Sequence, residues 1–140
     1  MTVGLQFFVK TLQIKSVDCT LQIWDFGGEE RFRFMVDCYL KGAHVGLLLI
    51  DLTRRVCLDK LPLWIKLFRR FDDDIPIIMV GSKYDLLDHL VIDDEDIEEI
   101  MKVYHIKDYF KTSAKIGLNV DETFDYAAKI GLDRAKYRIR

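Results

Sequence analysis

A chain of 140 residues fits one folding unit and leaves little room for a second. Half of the residues are hydrophobic and 31% are charged, a balance that buries a core and excludes a disordered chain. The formal net charge of −2, from 21 basic and 23 acidic residues, gives no overall pull towards nucleic acid or anionic lipid.

Cys19, Cys38 and Cys57 are odd in number and widely spaced, with no CxxC and no histidine cluster, so they read as reduced thiols rather than a disulfide framework or zinc site. The apolar run around Val45 to Ile50 is far short of the ~20 residues of a membrane helix. The start has no signal-peptide core, and the last residues, Lys136 to Arg140, hold no prenylatable cysteine. The expectation is a cytoplasmic protein with no nucleic-acid partner and no intrinsic lipid anchor.

Thr2 to Lys15 and Asp18 to Phe26 are rich in Val, Ile, Phe, Thr and Trp and predict an antiparallel hairpin joined at Ser16-Val17. Gly27-Gly28 breaks the pattern, and Glu29 to Leu40 reads as an irregular helix. His44 to Leu52 is a short apolar run suited to a strand covered on both faces. From Asp59, the spacing of Leu61, Trp64, Ile65, Leu67 and Phe68 predicts a helix with Asp59 as N-cap and Pro62 in the first turn.

Ile75 to Val80 predicts a second buried strand, closed by Gly81. Asp93 to Lys102 predicts a helix whose acidic first turn complements the helix dipole. The alternative, a metal site, lacks the alternating carboxylates of a calcium loop. Tyr109 to Ser113 predicts a third buried strand and Asn119 to Arg138 a long closing helix. Alternating strands and helices after a hairpin give an α/β class with a mixed, mostly parallel sheet and helices on both faces. Ligands bind beyond the carboxyl ends of such strands, which directs attention to the loops starting at Asp25, Asp51, Gly81 and Ser113.

Three of these loops carry motifs. Trp24-Asp25-Phe26-Gly27-Gly28-Glu29-Glu30-Arg31-Phe32, Ser82-Lys83-Tyr84-Asp85 and Thr112-Ser113-Ala114-Lys115, with Thr2-Val3-Gly4 ahead of them, resemble in order and spacing the Ras superfamily of small GTPases, most nearly its Rab-like and Tem1/Spg1-like branches. The resemblance implies a P-loop NTPase fold, a GTP/GDP switch with Mg²⁺ as cofactor, and effector and regulatory partners at the switch regions. It assigns base recognition to Ser82, Lys83, Asp85, Ser113, Ala114 and Lys115, γ-phosphate contact to Gly28, metal contact to Thr2 and, through water, Asp25, and the water-orienting catalytic position to Glu29. Thr2 would also close over the nucleotide.

The chemistry of these residue types agrees with the resemblance. A carboxylate can accept both N–H donors on one edge of guanine, so Asp85 is the base reader, although alone it would also serve as a turn residue ahead of Leu86-Leu87. Lys83 can lay its stem over the ring, and a glycine at position 28 lets backbone approach an anion closely. Thr2, as the second residue, also reads as a frayed terminal threonine.

Three departures limit the resemblance. No GxxxxGK[ST] occurs in the 140 residues, so the domain 1–140 reads as N-terminally truncated, without the first strand, P-loop and first helix, and impaired in nucleotide binding as it stands. Glu29 replaces a glutamine and puts negative charge where phosphate charge develops, which predicts slow hydrolysis. Ser82 replaces an asparagine, a mild change. Two readings compete: a GTP-hydrolysing switch in its complete form, and a pseudo-GTPase that binds proteins without nucleotide. A receiver-type or flavin-binding α/β domain is a third reading that leaves the base motifs unexplained.

Overall fold

In the computed structural model, which describes residues 5–26 and 33–139, strand β1 (Leu5–Ile14) pairs antiparallel with β2 (Val17–Phe26). Ile14 stands opposite Val17, so the turn is Lys15-Ser16, one residue earlier than the sequence predicts. Both turn residues take positive φ, 49° and 69°, as a two-residue type I′ turn demands. Helix α1 (Arg33–Leu40) follows. The first part of the helix expected from Glu29 lies outside the described residues.

Strand β3 (Gly46–Asp51) and β4 (Ile77–Ser82) are joined through a 3-10 turn (Arg55–Lys60) and helix α2 (Leu61–Phe71). Asp59 does not cap α2. It lies inside the 3-10 turn that feeds the helix, so the cap position falls on Lys60, already in the right-handed helical region and without a side-chain cap bond. Pro62 keeps its place in the first turn, where no N–H is needed.

Helix α3 (Asp94–Tyr104) begins with a reciprocal box: Asp96 N–H donates to Asp93 Oδ1 at 2.9 Å, and Asp93 N–H donates to Asp96 Oδ2 at 3.1 Å. Asp96 also receives two bonds from the Arg55 guanidinium, at 3.0 and 3.2 Å. The acidic first turn thus fixes the helix start and ties it to the 3-10 turn. Strand β5 (Asp108–Lys111) and helix α4 (Val120–Ile139) complete the order.

Strands β3, β4 and β5 form a parallel sheet in that order, with Asp51 opposite Ser82 and Gly81 opposite Lys111. Ile50, Leu48, Ile77 and Met79 face a core with α1, α2 and α3, where Val36, Leu40, Ile65, Phe68 and Ile97 are buried. Ile78 and Val80 face the opposite side and pack on Ala127 of α4. Helices therefore cover both faces, as the sequence predicts.

The single mixed sheet expected from the sequence is divided in two. The hairpin forms its own two-stranded sheet, and among the described residues nothing pairs with the remaining edge of β2 or of β3. Leu49, in the apolar strand β3, is 65% exposed. Side chains rather than backbone bonds hold the hairpin to the rest: Phe26 stacks with Trp64 of α2 at 6.4 Å between ring centroids, Trp24 meets Tyr39 of α1 at 4.4 Å, and the Lys10 ammonium lies 5.5 Å from the Phe124 ring of α4. No helix among the described residues is long and apolar enough to cross a membrane.

Candidate functional site

The carboxyl ends of β4 and β5 meet through Thr112. Its N–H donates to Gly81 O at 2.7 Å and its hydroxyl to the same oxygen at 3.2 Å, while Tyr84 N–H donates to Thr112 O at 3.0 Å. These bonds bring the Ser82–Asp85 and Thr112–Lys115 segments together. The join is completed by side chains: Ser113, fully buried, donates its hydroxyl to Asp85 Oδ1 at 2.7 Å. A hydrogen bond to a carboxylate is stronger than one between neutral groups, and this one holds Asp85 by one oxygen.

The loop after Ser113 is short because Ser113 and Leu118 exchange backbone bonds at 3.1 and 3.0 Å, closing residues 114–117 into a turn. Gly117 takes φ of +73° there, a conformation a side chain would strain, and nothing lies within 4 Å of its missing Cβ. Ala114 and Lys115 are consequently exposed at the tip. Asn119, also at positive φ, fixes the exit by donating to Lys111 O at 2.8 Å.

On the other side, the end of β4 is tied to the end of β3. Ser82 donates its hydroxyl to Ile50 O at 3.1 Å, so the serine in the first motif position works as a loop tie. Lys83 takes φ of 63° and carries its ammonium back to Asp51 Oδ2 at 2.9 Å. Asp51 Oδ1 accepts from both the N–H and the hydroxyl of Thr53, at 2.9 and 2.6 Å. Desolvation pushes the Asp51 carboxyl up, but the bonds from Thr53 and Lys83 outweigh it and hold the group below its usual value.

The two segments assigned to base recognition are thus brought together: Ser82, Lys83 and Asp85 at and just past the end of β4, and Ser113, Ala114 and Lys115 in the loop after β5. The residues assigned to phosphate and metal do not form a described site. Thr2, Gly28 and Glu29 lie outside the described residues, and Asp25 sits near the end of β2 opposite Gln6. Among the described residues, no group of three or more His, Cys, Asp or Glu side chains is placed to hold a metal ion.

Two features escaped the sequence reading. Asp51 was visible only as the start of a loop, because its pairing with Lys83 depends on strand register. Phe7, Trp24 and Tyr39 form a ladder, with centroids 4.4 Å apart at each step, and Phe7 and Trp24 are 46% and 38% exposed. The period-two alternation of the hairpin puts Phe7 and Trp24 on one face, a signal the sequence carried. The addition of Tyr39 from α1 required the tertiary structure.

The sequence profile of the Ras family matches residues 1–132. The chain is 37% identical over 129 residues to Ras-related protein Rab-26 of Homo sapiens, covering 91% of this chain and 50% of that protein. It is 36% identical over 138 residues to human Ras-related protein Rab-37, covering 98% of this chain and 60% of the relative. Human Ras-related protein Rab-19 is 33% identical over 129 residues, with 91% of this chain and 59% of the relative covered. The chain therefore spans about half the length of the curated relatives it matches.

Proposed function

The chain belongs to the Ras family, and on that premise we propose that it carries the base-recognising part of a guanine-nucleotide switch. The observation that supports this best is the Ser113–Asp85 hydrogen bond, which joins the two loops and orients the Asp85 carboxyl group just past the carboxyl ends of β4 and β5. A carboxylate so placed accepts the ring N–H and the exocyclic amino group of guanine together, and an adenine edge cannot reproduce that pair of donors. The exposed backbone of Ala114 is the donor for the guanine carbonyl, and the Lys83 stem covers the ring.

Hydrolysis and magnesium belong to this proposal through family membership. By that resemblance Thr2 and, through water, Asp25 would hold the ion, which would neutralise phosphate charge. The test is competition: GDP, ADP and XDP are titrated against the chain and its Asp85→Ala variant by ligand-observed NMR. Guanine preference that disappears in the variant supports the reading; equal binding of GDP and ADP, or binding indifferent to Asp85, overturns it.

A second reading, a partner-binding module that works without nucleotide, is favoured by the Phe7–Trp24–Tyr39 ladder. Large, partly exposed aromatic side chains on a rigid strand-and-helix surface are the usual anchors of protein interfaces. The two readings share that surface, which serves effector and regulatory proteins in the first and is the whole function in the second. Asp85-dependent guanine binding separates them.

A further inference from the structure

Lys83 and Asp85 are two residues apart in the turn that follows β4, close enough in sequence for a flexible ammonium to reach the carboxylate. A pair between them would occupy the carboxylate that reads the base and draw the lysine stem off the ring. The structure holds the lysine elsewhere: its ammonium lies 2.9 Å from Asp51 Oδ2 on the neighbouring strand. Asp51 is itself fixed, since Thr53 fills its other oxygen with two bonds and only 16% of its side chain is exposed.

Backbone register makes this reach possible. Asp51 stands directly opposite Ser82, one residue before Lys83, and the positive φ of Lys83 turns the chain at that point. Ser82 Oγ to Ile50 O and Leu52 N–H to Ser82 O, at 3.1 and 3.3 Å, keep the two strand ends in step.

We propose that Asp51 is a positioning residue for base recognition: it anchors the Lys83 ammonium at the end of β3, so that the lysine stem stays extended across the strand ends and the Asp85 carboxylate stays open to guanine. The proposal rests on the base-reading function above and assigns Asp51 a part in it that acts through Lys83. Asp85 is left with Ser113 as its only hydrogen-bonding side chain among the described residues. Lys111, at the end of β5, is likewise engaged, by Asp94 at 2.8 Å.

The test is a double-mutant cycle on the full chain, read as GDP affinity and as the ratio of GDP to IDP affinity, since inosine lacks the exocyclic amino group that Asp85 accepts. Asp51→Asn lowers GDP affinity about tenfold, the equivalent of one charge-assisted contact, and narrows the GDP-to-IDP ratio. In a Lys83→Ala background, adding Asp51→Asn changes neither quantity further. A loss that is the same in both backgrounds, or a ratio that Asp51→Asn does not move, overturns the proposal and shows Asp51 acting only through the fold. Lys83→Met, at a half-exposed position, deletes the ammonium and keeps most of the stem, and it reproduces the Asp51→Asn loss even if the latter folds poorly; unchanged affinity in Lys83→Met also overturns it. Asp85→Ala serves as the separate control: GDP affinity indifferent to that change refutes base recognition itself, while Asp85 dependence with an inert Asp51 refutes the positioning role alone.

Discussion

The hydroxyl of Ser113 and the carboxylate of Asp85, separated by 28 residues of sequence, are joined at 2.7 Å. Ser113 is completely buried, so its hydroxyl has no water to turn to and the bond is held by the fold. The bond spans two parallel neighbouring strands, and it makes the second motif a support for the first. Ser113→Ala should lower stability by ~1.5 to 3 kcal/mol, as loss of a hydrogen bond to a charged group does, and should weaken guanine binding through a less ordered Asp85. Urea unfolding checks the first effect and GDP titration the second; stability within error of the unmodified chain would show that water replaces the hydroxyl freely.

Base selectivity gives a second expectation. Asp85→Asn replaces a double acceptor with one donor and one acceptor, which matches the ring edge of xanthine rather than guanine. The expected outcome is a reversal of preference between GDP and XDP in competition, with the fold unchanged by circular dichroism. Loss of both nucleotides together would instead show that residue 85 acts through loop structure.

Gly81 is packed by the residues around the site. A Cβ there would stand 2.5 Å from Tyr109 Oη and 2.9 Å from Leu52 Cδ1. Gly81→Ala is therefore expected to cost ~1 to 3 kcal/mol by overpacking, and Tyr109→Phe in the same chain should recover part of it by removing the closest atom. Chemical denaturation of the two single variants and the double variant tests this, and additive losses would contradict the geometry.

Acid stability follows from Asp51 and Asp96, whose carboxyls are both held below the ordinary aspartate range in the folded chain. In Asp51, desolvation opposes the shift and the bonds from Thr53 and Lys83 outweigh it; in Asp96, the Arg55 bond leads. A depressed folded pKa means that the stabilisation is fully present above the unfolded value and is lost as pH falls through the folded one. Unfolding midpoints followed from about pH 6 to about pH 2 should fall less steeply in Asp51→Asn and Asp96→Asn than in the unmodified chain. A parallel decline in all three would mean that other carboxylates carry the acid transition.

Nucleotide affinity of this chain should be far below that of a family member with a phosphate-binding loop. No GxxxxGK[ST] occurs in the 140 residues, and each missing charge-assisted bond to phosphate is worth ~1.5 to 3 kcal/mol, or roughly tenfold or more in affinity. Titration of fluorescent GDP with Mg²⁺ measures it, and nanomolar binding would refute the expectation. In a chimera carrying such a loop ahead of Thr2, Glu29→Gln should speed single-turnover GTP hydrolysis and leave GDP affinity nearly unchanged, if Glu29 holds the water-orienting position that the family resemblance assigns to it.

What the sequence determined was the identity and order of the elements and the chemistry at their ends. Short apolar runs such as Leu47 to Ile50 and Ile77 to Val80 marked the strands, although only the second is buried throughout, Leu49 in the first being 65% exposed. The segments that the family resemblance assigns to base recognition were legible as motifs following β4 and β5 in chain order. Tertiary structure alone decided what depends on register and on approach between distant segments. The sequence pattern could not show that Asp51 would hold Lys83, since that required Asp51 to stand opposite Ser82. Nor could it move the cap of α2 from Asp59 to Lys60, which followed from the 3-10 turn that leads into the helix. The pairing of the described strands into two sheets was likewise decided by the fold: alternation along a strand specifies its faces, while pairing at its edges depends on which strand lies beside it.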